Sequence, residues 1–498
     1  MTLAAESLTN EKVKKDRARP GCGHSRRTKI VATVGPASNT PEMLQELVSA
    51  GVDVFRLNAS HGTRKELAFR IADVRRVSAE QGEIRSILLD LQGPKVRLGC
   101  FTKRKVLLKE GSKFQIVAAP VVGTESQAST TYPGLCADVH PGDRILLADG
   151  TVELVVHSTS AECVACEVVR GGYVGDHKGV NLPNVGVRLP ALTEKDQADL
   201  DCALERGIDL VALSFVRNAS DVEGLREQLE TKNARIPVIA KIETAEAWRK
   251  IDDIVRVSDG VMIARGDLDV ELSLENVPHM QKAIIEKCRR FGKFVITATQ
   301  MLESMTRNPS PTRAEVSDVA NAVYDGTDAL MLSGETAEGD HPKKAVEVMS
   351  EIACVIEGRV LCGTLTKVDD RDPTQAGIIA DAAVLAAQRA RVKAIAVFTM
   401  TGRSAQLIAK ERPTVPIFAF TTKGEIARQL SVWYGIRPMV APRLFSIDEM
   451  LGYMSRALAQ SREVGAGQEV LFVAGDEPET PGATNTLKIH RIAESVLH

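Results

Sequence analysis

The sequence lacks the features of several classes of protein. No uninterrupted apolar run reaches the ~18 residues of a membrane-spanning helix, so we do not expect an integral membrane protein. The 63 Lys and Arg residues are balanced by 65 Asp and Glu residues, which leaves no excess of basic charge for binding nucleic acid. The nine cysteines are scattered through 498 residues, which argues against a disulfide scaffold and indicates a reducing, cytoplasmic compartment.

The P-loop pattern G-x-x-x-x-G-K-[ST], solenoid-type repeats and low-complexity segments are also absent. The chain therefore does not carry a P-loop nucleotide-binding fold. Its hydrophobic (44%) and charged (26%) fractions exclude wholesale disorder, and its length predicts roughly three domains at about 150 residues each. We expect the basic N-terminal segment, residues 1–27, to be a solvated tail, with binding to an acidic partner as the alternative.

Eight short apolar runs recur along the chain, and each is followed by a helical pattern. Runs of this length suit strands buried on both faces, and the helical patterns suit parallel crossovers. The runs are residues 29–35, 52–58, 86–91, 210–216, 238–243, 260–267, 294–299 and 329–335. Thr40-Pro41 and Thr312-x-x-Glu315 are helix-start signals in the same pattern. The predicted fold class is α/β, with a (β/α)8 TIM barrel at its centre.

The barrel pattern is interrupted once and later restarts. Far more residues than one helix requires lie between Leu91 and the fourth run, and they hold alternating strand-like runs broken by Gly, Pro and Asp. We interpret them as an inserted small β-barrel lid domain over the carboxyl ends of the barrel strands. A helix start at Asp372-Pro373 and further strands predict a C-terminal open-sheet α/β domain. The predicted boundaries are 28–94 and 190–363 for the barrel, 95–189 for the lid and 364–498 for the C-terminal domain.

Charged and polar residues occupy the ends of the predicted barrel strands. They are Arg56, Asn58, Asp90, Lys241, Glu243, Arg265, Gly266, Asp267 and Thr299. Parallel barrel strands end at one opening, so these side chains are expected to converge there. The oxygen atoms of Glu243 and Asp267 suit Mg²⁺. Arg56 and Lys241 suit a phosphoryl group in transfer. The set indicates phosphoryl transfer, and the alternative is a polar network that only stabilises the barrel.

Long segments of the chain resemble the pyruvate kinase family, in the family's order and spacing. They are residues 26–36, 56–62, 90–97, 178–183, 189–196, 239–243, 264–268, 298–305 and 308–338. The longest reads NPSPTRAEVSDVANAVYDGTDALMLSGETAE, and the resemblance extends from Arg27 to Ile492. It implies a phosphotransferase of glycolysis that moves the phosphoryl group of phosphoenolpyruvate to ADP and gives pyruvate and ATP.

The resemblance also implies a role for each matching residue. Lys241 would be the catalytic cation beside the transferred phosphoryl group, and Arg56 would bind its phosphate. Glu243 and Asp267 would hold Mg²⁺ or Mn²⁺. The pyruvate moiety would contact Gly266, Asp267 and Thr299, and Thr299 would organise the proton donor to the enolate, with a relayed water as the source of the proton. The nucleotide-binding positions would be Asn58, Ser60, His61, Arg97 and, from the lid, Lys178.

Two positions depart from the family pattern. Many members require K⁺ and have Glu in the Gly-Pro-x segment, whereas this chain has Lys95 there. The monovalent-cation positions that the resemblance implies are Asn58, Ser60, Asp90 and Leu91. An ammonium group near them could replace the bound ion, so we predict activity without K⁺; the alternative is that Lys95 is a solvated residue of the lid hinge. The second departure is Asp269, which stands where the family usually has Gly, and its effect stays open.

A predicted strand-to-helix turn in the C-terminal domain has the composition of an anion site. Its residues are Thr399, Thr401, Gly402, Arg403 and Ser404. Hydroxyls, backbone amides at a helix start and an arginine can hold an anion, and in the family this segment holds the phosphate of an allosteric effector. We expect a sugar phosphate or a nucleotide monophosphate as effector, and the alternative is an ordinary capped helix start. The resemblance also implies a homotetramer.

Two other functions agree with parts of the sequence. Another phosphoenolpyruvate-using barrel, such as a lyase or a mutase, would have no reason to carry the inserted lid with Lys178. A catalytically inactive regulatory protein would keep the fold but tends to lose its strand-end charges. The chain keeps all of Arg56, Lys241, Glu243, Asp267 and Thr299. We therefore favour the active phosphotransferase.

Overall fold

The computed structural model describes residues 26–359, 374–461, 463–475 and 482–493. Most of the basic N-terminal segment and the predicted helix start at Asp372-Pro373 lie outside these residues. The first barrel elements are β1 (Lys29–Thr33), α1 (Pro41–Ala50), β2 (Val54–Asn58), α2 (Arg64–Glu80) and β3 (Ser86–Asp90). As predicted, Thr40 caps α1, because its hydroxyl oxygen accepts the N–H of Met43 and Pro41 occupies the first turn.

The all-β insertion follows β3, as predicted. Its elements are β4 (Lys105–Leu108), β5 (Lys113–Val117), β6 (Gln127–Ser129), α3 (Leu135–Asp138), β7 (Arg144–Leu147), β8 (Val152–Thr159), β9 (Cys163–Arg170), β10 (Gly172–Gly175) and β11 (Val180–Asn181). Six strands form one sheet in the order β11-β7-β8-β9-β5-β6, and β4 pairs with β10. Exposed and buried residues alternate along β4 and β5, since one face of each strand packs into the core of the lid.

The second part of the chain completes the barrel. Its elements are α4 (Glu194–Glu205), β12 (Leu210–Leu213), α5 (Ala219–Thr231), β13 (Val238–Ile242), α6 (Ala245–Arg249), α7 (Ile251–Val257), β14 (Gly260–Ala264), α8 (Arg265–Glu271), α9 (Val277–Arg290), β15 (Phe294–Ala298), α10 (Arg313–Asp325), β16 (Ala329–Leu332), α11 (Gly334–Ala337) and α12 (Pro342–Glu357), with 3-10 turns at Leu274–Asn276 and Glu303–Thr306. Thr312 and Glu315 form the predicted capping box of α10.

Eight parallel strands close the barrel in the order β1-β16-β15-β14-β13-β12-β3-β2. This confirms the predicted (β/α)8 barrel, and each of the eight predicted runs contains one of its strands. The strands are almost wholly buried because the helices cover their outer faces and apolar side chains fill the interior. None of the described helices has both the length and the apolar character needed to cross a membrane.

The C-terminal domain is the predicted α/β unit. Its elements are α13 (Gln375–Ala390), β17 (Ile395–Phe398), α14 (Arg403–Lys410), β18 (Ile417–Thr421), α15 (Gly424–Gln429), a 3-10 turn at Leu430–Val432, β19 (Ile436–Val440), α16 (Ile447–Gln460), β20 (Glu469–Gly475) and β21 (Thr484–Arg491). The sheet order is β19-β18-β17-β20-β21, in which only β21 is antiparallel to its neighbour.

The C-terminal domain packs against the amino end of the barrel, where the strands begin. The ring of Trp433 meets Phe294 edge-on, with 5.2 Å between the ring centroids. The ammonium of Lys29 donates to the carbonyl oxygen of Ile436 at 2.6 Å. The carboxyl end, where the strands finish, therefore faces the lid instead. The precise boundaries between the three units stay predictions.

Candidate active site

Lys241 lies at the carboxyl end of the barrel, as the penultimate residue of β13. Its ammonium donates to the hydroxyl oxygen of Ser214 at 2.8 Å and contacts Glu243 Oε1 at 2.9 Å and Asp90 Oδ1 at 3.2 Å. Burial alone would lower the pKa of Lys241, but the charges of Asp90 and Glu243 outweigh it and raise the pKa above its ordinary value. The site therefore holds a fixed positive charge.

Arg56 brings a second cation to the same place. Its Nε donates to Asp90 Oδ2 at 2.7 Å, and its Nη1 donates to the hydroxyl oxygen of Thr33 at 3.0 Å. Burial would raise the pKa of Asp90, but Lys241 and Arg56 hold it below its ordinary value. Asp90 is thus an ionised carboxylate that positions two cations, one from β2 and one from β13.

Glu243 and Asp267 belong to neighbouring strand ends, after β13 and β14. Glu243 is only 1% exposed, and its Oε2 accepts the N–H of Phe215 at 2.6 Å. Burial raises the pKa of Glu243; Lys241 opposes the rise and the negative charge of Asp267 adds to it. A buried carboxylate and a half-buried one that repel each other suit a bound cation.

A cation bound by Glu243 and Asp267 would have two carboxylate ligands from the chain. Among the described residues no group of three or more His, Cys, Asp and Glu side chains is arranged to hold a metal. A site built on Glu243 and Asp267 would therefore leave most coordination positions to water and substrate. Mg²⁺ is usually bound in this way, whereas zinc and calcium take more ligands from the protein.

Thr299 follows β15 in a strained backbone conformation. Its φ is 67°, a left-handed value that costs a β-branched residue on the order of 1–3 kcal/mol and persists only where contacts fix it. The hydroxyl oxygen accepts the N–H of Gly266 at 2.8 Å and donates to the carbonyl oxygen of Ala298 at 2.7 Å. Arg265 donates to the carbonyl oxygen of Thr299 at 2.7 Å. These contacts set Thr299 directly beside Gly266 and Asp267.

Lys95, at the start of the lid, contacts Asp267. The distance from its Nζ to Asp267 Oδ1 is 3.3 Å, and the ammonium lies 5.9 Å from the centroid of the Phe215 ring. The sequence led us to expect Lys95 near Asn58, Ser60 and Asp90. The structure instead places the ammonium of Lys95 beside Asp267, a candidate metal ligand. Asp267 follows β14, on one side of the Lys241 strand β13, whereas β3 and β2, which end in Asp90 and Asn58, lie on the other side.

The predicted nucleotide-binding residues form two groups. Asn58, Ser60 and His61 share the turn after β2, where Asn58 Oδ1 accepts the N–H of Ser60 at 3.1 Å. Arg97 and Lys178 lie on adjacent lid segments, because Arg97 pairs with Gly179 and the N–H of Leu98 donates to the carbonyl oxygen of Lys178. Lys178 is exposed. The structure brings together the members of each group.

The predicted effector residues form one turn before α14. The hydroxyl oxygen of Thr399 accepts the N–H of Gly402 at 3.0 Å, and Ser404 shares a 2.6 Å hydrogen bond with Thr484. Gly402 has a φ of 87°, which favours glycine. Thr401 and Arg403 are exposed. Two of the hydroxyls expected to meet an effector are therefore also engaged within the domain.

Sequence reasoning missed several residues of the site. Thr33 ends β1 and Ser214 follows β12, so the rule that polar residues at strand ends converge could have found both. Glu271 had no comparable signal. It ends α8 and accepts hydrogen bonds from the side chain of Asn181 and the backbone of Leu182 in the lid, beside a cavity of about 350 Å³. Burial raises the pKa of Glu271 to about 7, against these hydrogen bonds and with some help from Asp267.

Comparison with known proteins identifies the family of the chain. The barrel domain of pyruvate kinase matches residues 25–346, and the pyruvate kinase alpha/beta domain matches residues 378–490. The pyruvate kinase of Geobacillus stearothermophilus is 44% identical over 476 residues, which are 94% of this chain and 81% of that protein. The pyruvate kinase of Mycobacterium tuberculosis is 44% identical over 471 residues, 94% of this chain and 99% of that protein.

The fold comparison points the same way. A crystal structure of a pyruvate kinase from Cryptosporidium parvum superposes with a TM-score of 0.88 at 34% identity, and covers 94% of this chain and 96% of that one. Barrel, lid and C-terminal domain therefore all have their counterparts in known members. Since both family domains match and the relatives align over almost the whole length, the chain belongs to the pyruvate kinase family and is a phosphotransferase.

Proposed function

We propose that the protein transfers the phosphoryl group of phosphoenolpyruvate to ADP and forms pyruvate and ATP in glycolysis. The observation that carries this proposal is the ammonium of Lys241, held within 3.2 Å of two carboxylates at the carboxyl end of the barrel. Phosphoryl transfer needs positioning and neutralisation of charge more than covalent help from the protein. Lys241 and Arg56 supply two cations whose orientation is already set before substrate binds.

Glu243 and Asp267 are the residues that would hold Mg²⁺ or Mn²⁺. Their mutual repulsion and the burial of Glu243 support a cation between them. When bound, the divalent ion would neutralise charge on the oxygens of the substrates. The chain's own part is to keep Glu243 oriented, which the N–H of Phe215 and the ammonium of Lys241 both do.

Thr299 has a role in protonation of the enolate of pyruvate, which follows transfer of the phosphoryl group. Its hydroxyl proton already goes to the carbonyl oxygen of Ala298, and its oxygen accepts from Gly266. A hydroxyl held in this way is a weak acid on its own, so we assign it the orientation of a water molecule that delivers the proton. Gly266 and Asp267 lie at the same edge and would contact the pyruvate moiety.

The nucleotide would bind between the barrel and the lid. Asn58, Ser60 and His61 offer polar groups on the barrel side. Arg97 and Lys178 offer positive charge on the lid side, where the phosphates of ADP would meet them. Closure of the lid would exclude water and strengthen these charge interactions.

We further propose that the enzyme does not require K⁺. The tethered charge of Lys95 lies 3.3 Å from Asp267, so it adds positive charge to the carboxyl end of the barrel without a bound monovalent ion. This geometry differs from the one expected from the sequence, in which Lys95 would occupy the positions of Asn58, Ser60, Asp90 and Leu91. Independence of K⁺ would then follow from the total positive charge at the site rather than from occupation of the monovalent-cation positions.

Regulation and assembly complete the proposal. The turn of Thr399, Thr401, Gly402, Arg403 and Ser404 would take a phosphorylated small-molecule effector, and the exposure of Thr401 and Arg403 supports this role. A homotetramer stays a prediction from the family resemblance, and a cytoplasmic location stays a prediction from the scattered cysteines.

The experiment is a coupled assay of pyruvate release with phosphoenolpyruvate, in the presence and absence of ADP, Mg²⁺ and K⁺. We expect release to need ADP and Mg²⁺ and to persist when a large organic cation replaces K⁺. Release without ADP would instead indicate a lyase, and a folded protein without any release would indicate an inactive regulator. Loss of most activity without K⁺ would contradict the role of Lys95 alone.

A further inference from the structure

Cys100 differs from the other cysteines of the described chain in both exposure and neighbours. Among the seven that the structure describes, Cys100 alone is exposed; Cys136, Cys163 and Cys202 are half-buried and the rest are buried. Burial also raises the pKa of Cys166 to about 12, which keeps that sulfur in its unreactive thiol form. Accessibility to a reagent in solution therefore favours Cys100.

The sulfur of Cys100 lies 3.3 Å from Nε2 of His177. An imidazole nitrogen at this distance can accept the proton of the thiol, and the thiolate that remains is the nucleophilic form of cysteine. Cys163, by contrast, has the hydroxyl of Ser160 at 3.5 Å as its side-chain neighbour. A hydroxyl is a far weaker base than an imidazole, so the two cysteines of the same lid differ in the group that could activate them.

The pair is held in place by the backbone on both sides. The N–H of His177 donates to the carbonyl oxygen of Gly99 at 3.3 Å, and the N–H of Phe101 donates to Asp176 Oδ1 at 2.6 Å. His177 has a φ of 55°, in the left-handed region, which histidine adopts more readily than most side chains. These contacts hold the two backbone segments next to each other, so that the imidazole and the sulfur are within reach of one another.

The same turn carries the candidate nucleotide residues. Nη1 of Arg97 donates to the carbonyl oxygen of His177 at 3.1 Å, and Lys178 is the next residue along the chain. An oxygen atom added to the sulfur would disrupt the present contact between the sulfur and the imidazole. Because Arg97 bonds the carbonyl oxygen of His177 and Lys178 follows it, a rearrangement of this turn would act on both candidate nucleotide residues.

We propose that Cys100 and His177 form a peroxide-reactive thiol site on the lid, and that its oxidation weakens nucleotide binding. The second half rests on the proposed roles of Arg97 and Lys178. His177 takes the proton of the thiol, and the sulfur attacks one oxygen of hydrogen peroxide. The O–O bond breaks, the sulfur is oxidised by two electrons to sulfenic acid, and the leaving hydroxide takes the proton from His177 to become water. Two thiol groups of a reductant then restore the Cys100 thiol: they are oxidised to a disulfide, and the sulfenic oxygen leaves as water.

The test treats the full chain with hydrogen peroxide, traps sulfenic acid with dimedone and maps each cysteine by mass spectrometry. We expect Cys100 to react faster than Cys163 by roughly 10-fold or more, and His177→Gln to slow Cys100 by a similar factor. The matched variants are Cys100→Ser and Cys163→Ser. Equal rates at the two cysteines, or an unchanged rate in His177→Gln, would overturn the reactive site.

The consequence for binding has a separate readout. Partial oxidation should raise the KM for ADP severalfold and leave the KM for phosphoenolpyruvate unchanged, and dithiothreitol should restore the original KM for ADP. In Cys100→Ser, peroxide should not change the KM for ADP. In Cys163→Ser, it should raise this KM as it does in the unmodified chain. Oxidation of Cys100 with an unchanged KM for ADP would overturn the link to nucleotide binding. Pyruvate release by the untreated enzyme tests the proposed function independently, so the failure of one is not mistaken for failure of the other.

Discussion

The two ends of the barrel both contain buried carboxylates and cations, but the carboxylates have different bonding partners at each end. At the amino end an aspartate stands directly before every second strand, and each accepts the backbone N–H of the preceding strand at 2.8–2.9 Å. These residues are Asp53, Asp209, Asp259 and Asp328. Each also forms an ion pair with an arginine. In the same order, the arginines are Arg26, Arg75, Arg226 and Arg412. A carboxylate bonded to a strand in this way is part of the scaffold.

At the carboxyl end the carboxylates mainly face side-chain cations from other strands or from the lid. Asp90 meets Arg56 and Lys241, and Asp267 meets Lys95. Ionic partners of this kind can be exchanged for a substrate or a metal without opening the sheet. The difference teaches that the bonding partners of a buried carboxylate, more than its burial, distinguish a structural role from a chemical one.

Two buried lysines show the same contrast. Burial lowers the pKa of Lys29 to about 8, because Asp53 only partly offsets it and Arg26 adds to the decrease. Burial acts in the same direction on Lys241, but two carboxylates outweigh it and raise the pKa. The charge of Lys29, at the interface with the C-terminal domain, is therefore only partly offset by neighbouring carboxylates. Lys241, in contrast, is held in its charged form where phosphate would lie.

The largest effect is expected from exchanging these two lysines for methionine. Lys241→Met should lower kcat by roughly 10³-fold or more, because it removes charge that stabilises the transferred group. Lys29→Met should leave kcat within about twofold, since Lys29 lies at the other end of the barrel. Steady-state assays and thermal unfolding of both variants check this. Equal losses of kcat in the two variants would contradict the division between the ends.

A smaller effect is expected at the amino end, in stability. Asp209 accepts the N–H of Ile87 and pairs with Arg75 and with Arg428 from the C-terminal domain. Asp209→Asn would leave two arginines with a neutral partner, and should lower the free energy of unfolding by about 3 kcal/mol while kcat per folded molecule is kept. Urea unfolding measures the loss. Asp201→Asn is the control, because Asp201 is half-exposed and pairs only with Lys232 among the described contacts. A similar loss in the control would refute the structural role.

Glu271 sharpens the comparison, because it lies at the carboxyl end of the barrel and yet accepts a backbone hydrogen bond, from Leu182. Its pKa of about 7 lies above the ordinary 4.5, so the folded protein retains a proton that the unfolded chain releases between these values. The resulting stabilisation is complete below about pH 4.5 and is lost as the pH rises through 7, by up to about 3 kcal/mol. Glu271→Gln should flatten this decrease in urea unfolding measured between about pH 5 and 8.

The control for that measurement is Glu246→Gln. Glu246 lines the same cavity but pairs with Lys250 at 2.7 Å on the surface of the barrel. Its exchange should leave the pH slope as it is in the unmodified chain. A wild-type slope that persists in Glu271→Gln would assign the pH dependence to another group.

The smallest effect concerns Lys95. Lys95→Glu would place a carboxylate beside Asp267 and restore the residue that K⁺-requiring members have. We expect activity without K⁺ to fall by at least about tenfold, or ~1.4 kcal/mol in the barrier, and to recover when K⁺ is added. Lys95→Met separates loss of the charge from gain of a carboxylate. Activity of Lys95→Glu that does not respond to K⁺ would contradict the proposed replacement.

The strands of the barrel were predictable because each crosses the sheet as one apolar run, and such a run is a local property of the sequence. The convergence of Arg56, Asp90 and Lys241 was predictable too, since parallel strands end together. The contact of Lys95 with Asp267 joins residues 172 positions apart through the orientation of the lid, which no local pattern encodes. For the same reason the bond between Glu271 and the lid could not be foreseen.

The aspartates of the amino end lie in a repeated sequence pattern from which their position could have been predicted. Three of them close the similar triplets Gly51-Val52-Asp53, Gly207-Ile208-Asp209 and Gly326-Thr327-Asp328. The glycine has a positive φ in each, and the aspartate enters the next strand. Repeated triplets before alternate strands would have identified the amino end of the barrel.

The seam of Trp433 and Phe294 gives the molecule a built-in optical probe. The chain has only two tryptophans, and the indole of Trp433 is 5% exposed between the barrel and the C-terminal domain. Separation of these two units would bring that indole into water and shift its emission to the red, even while both units kept their own secondary structure. Fluorescence and circular dichroism recorded on one sample would thus distinguish undocking from unfolding.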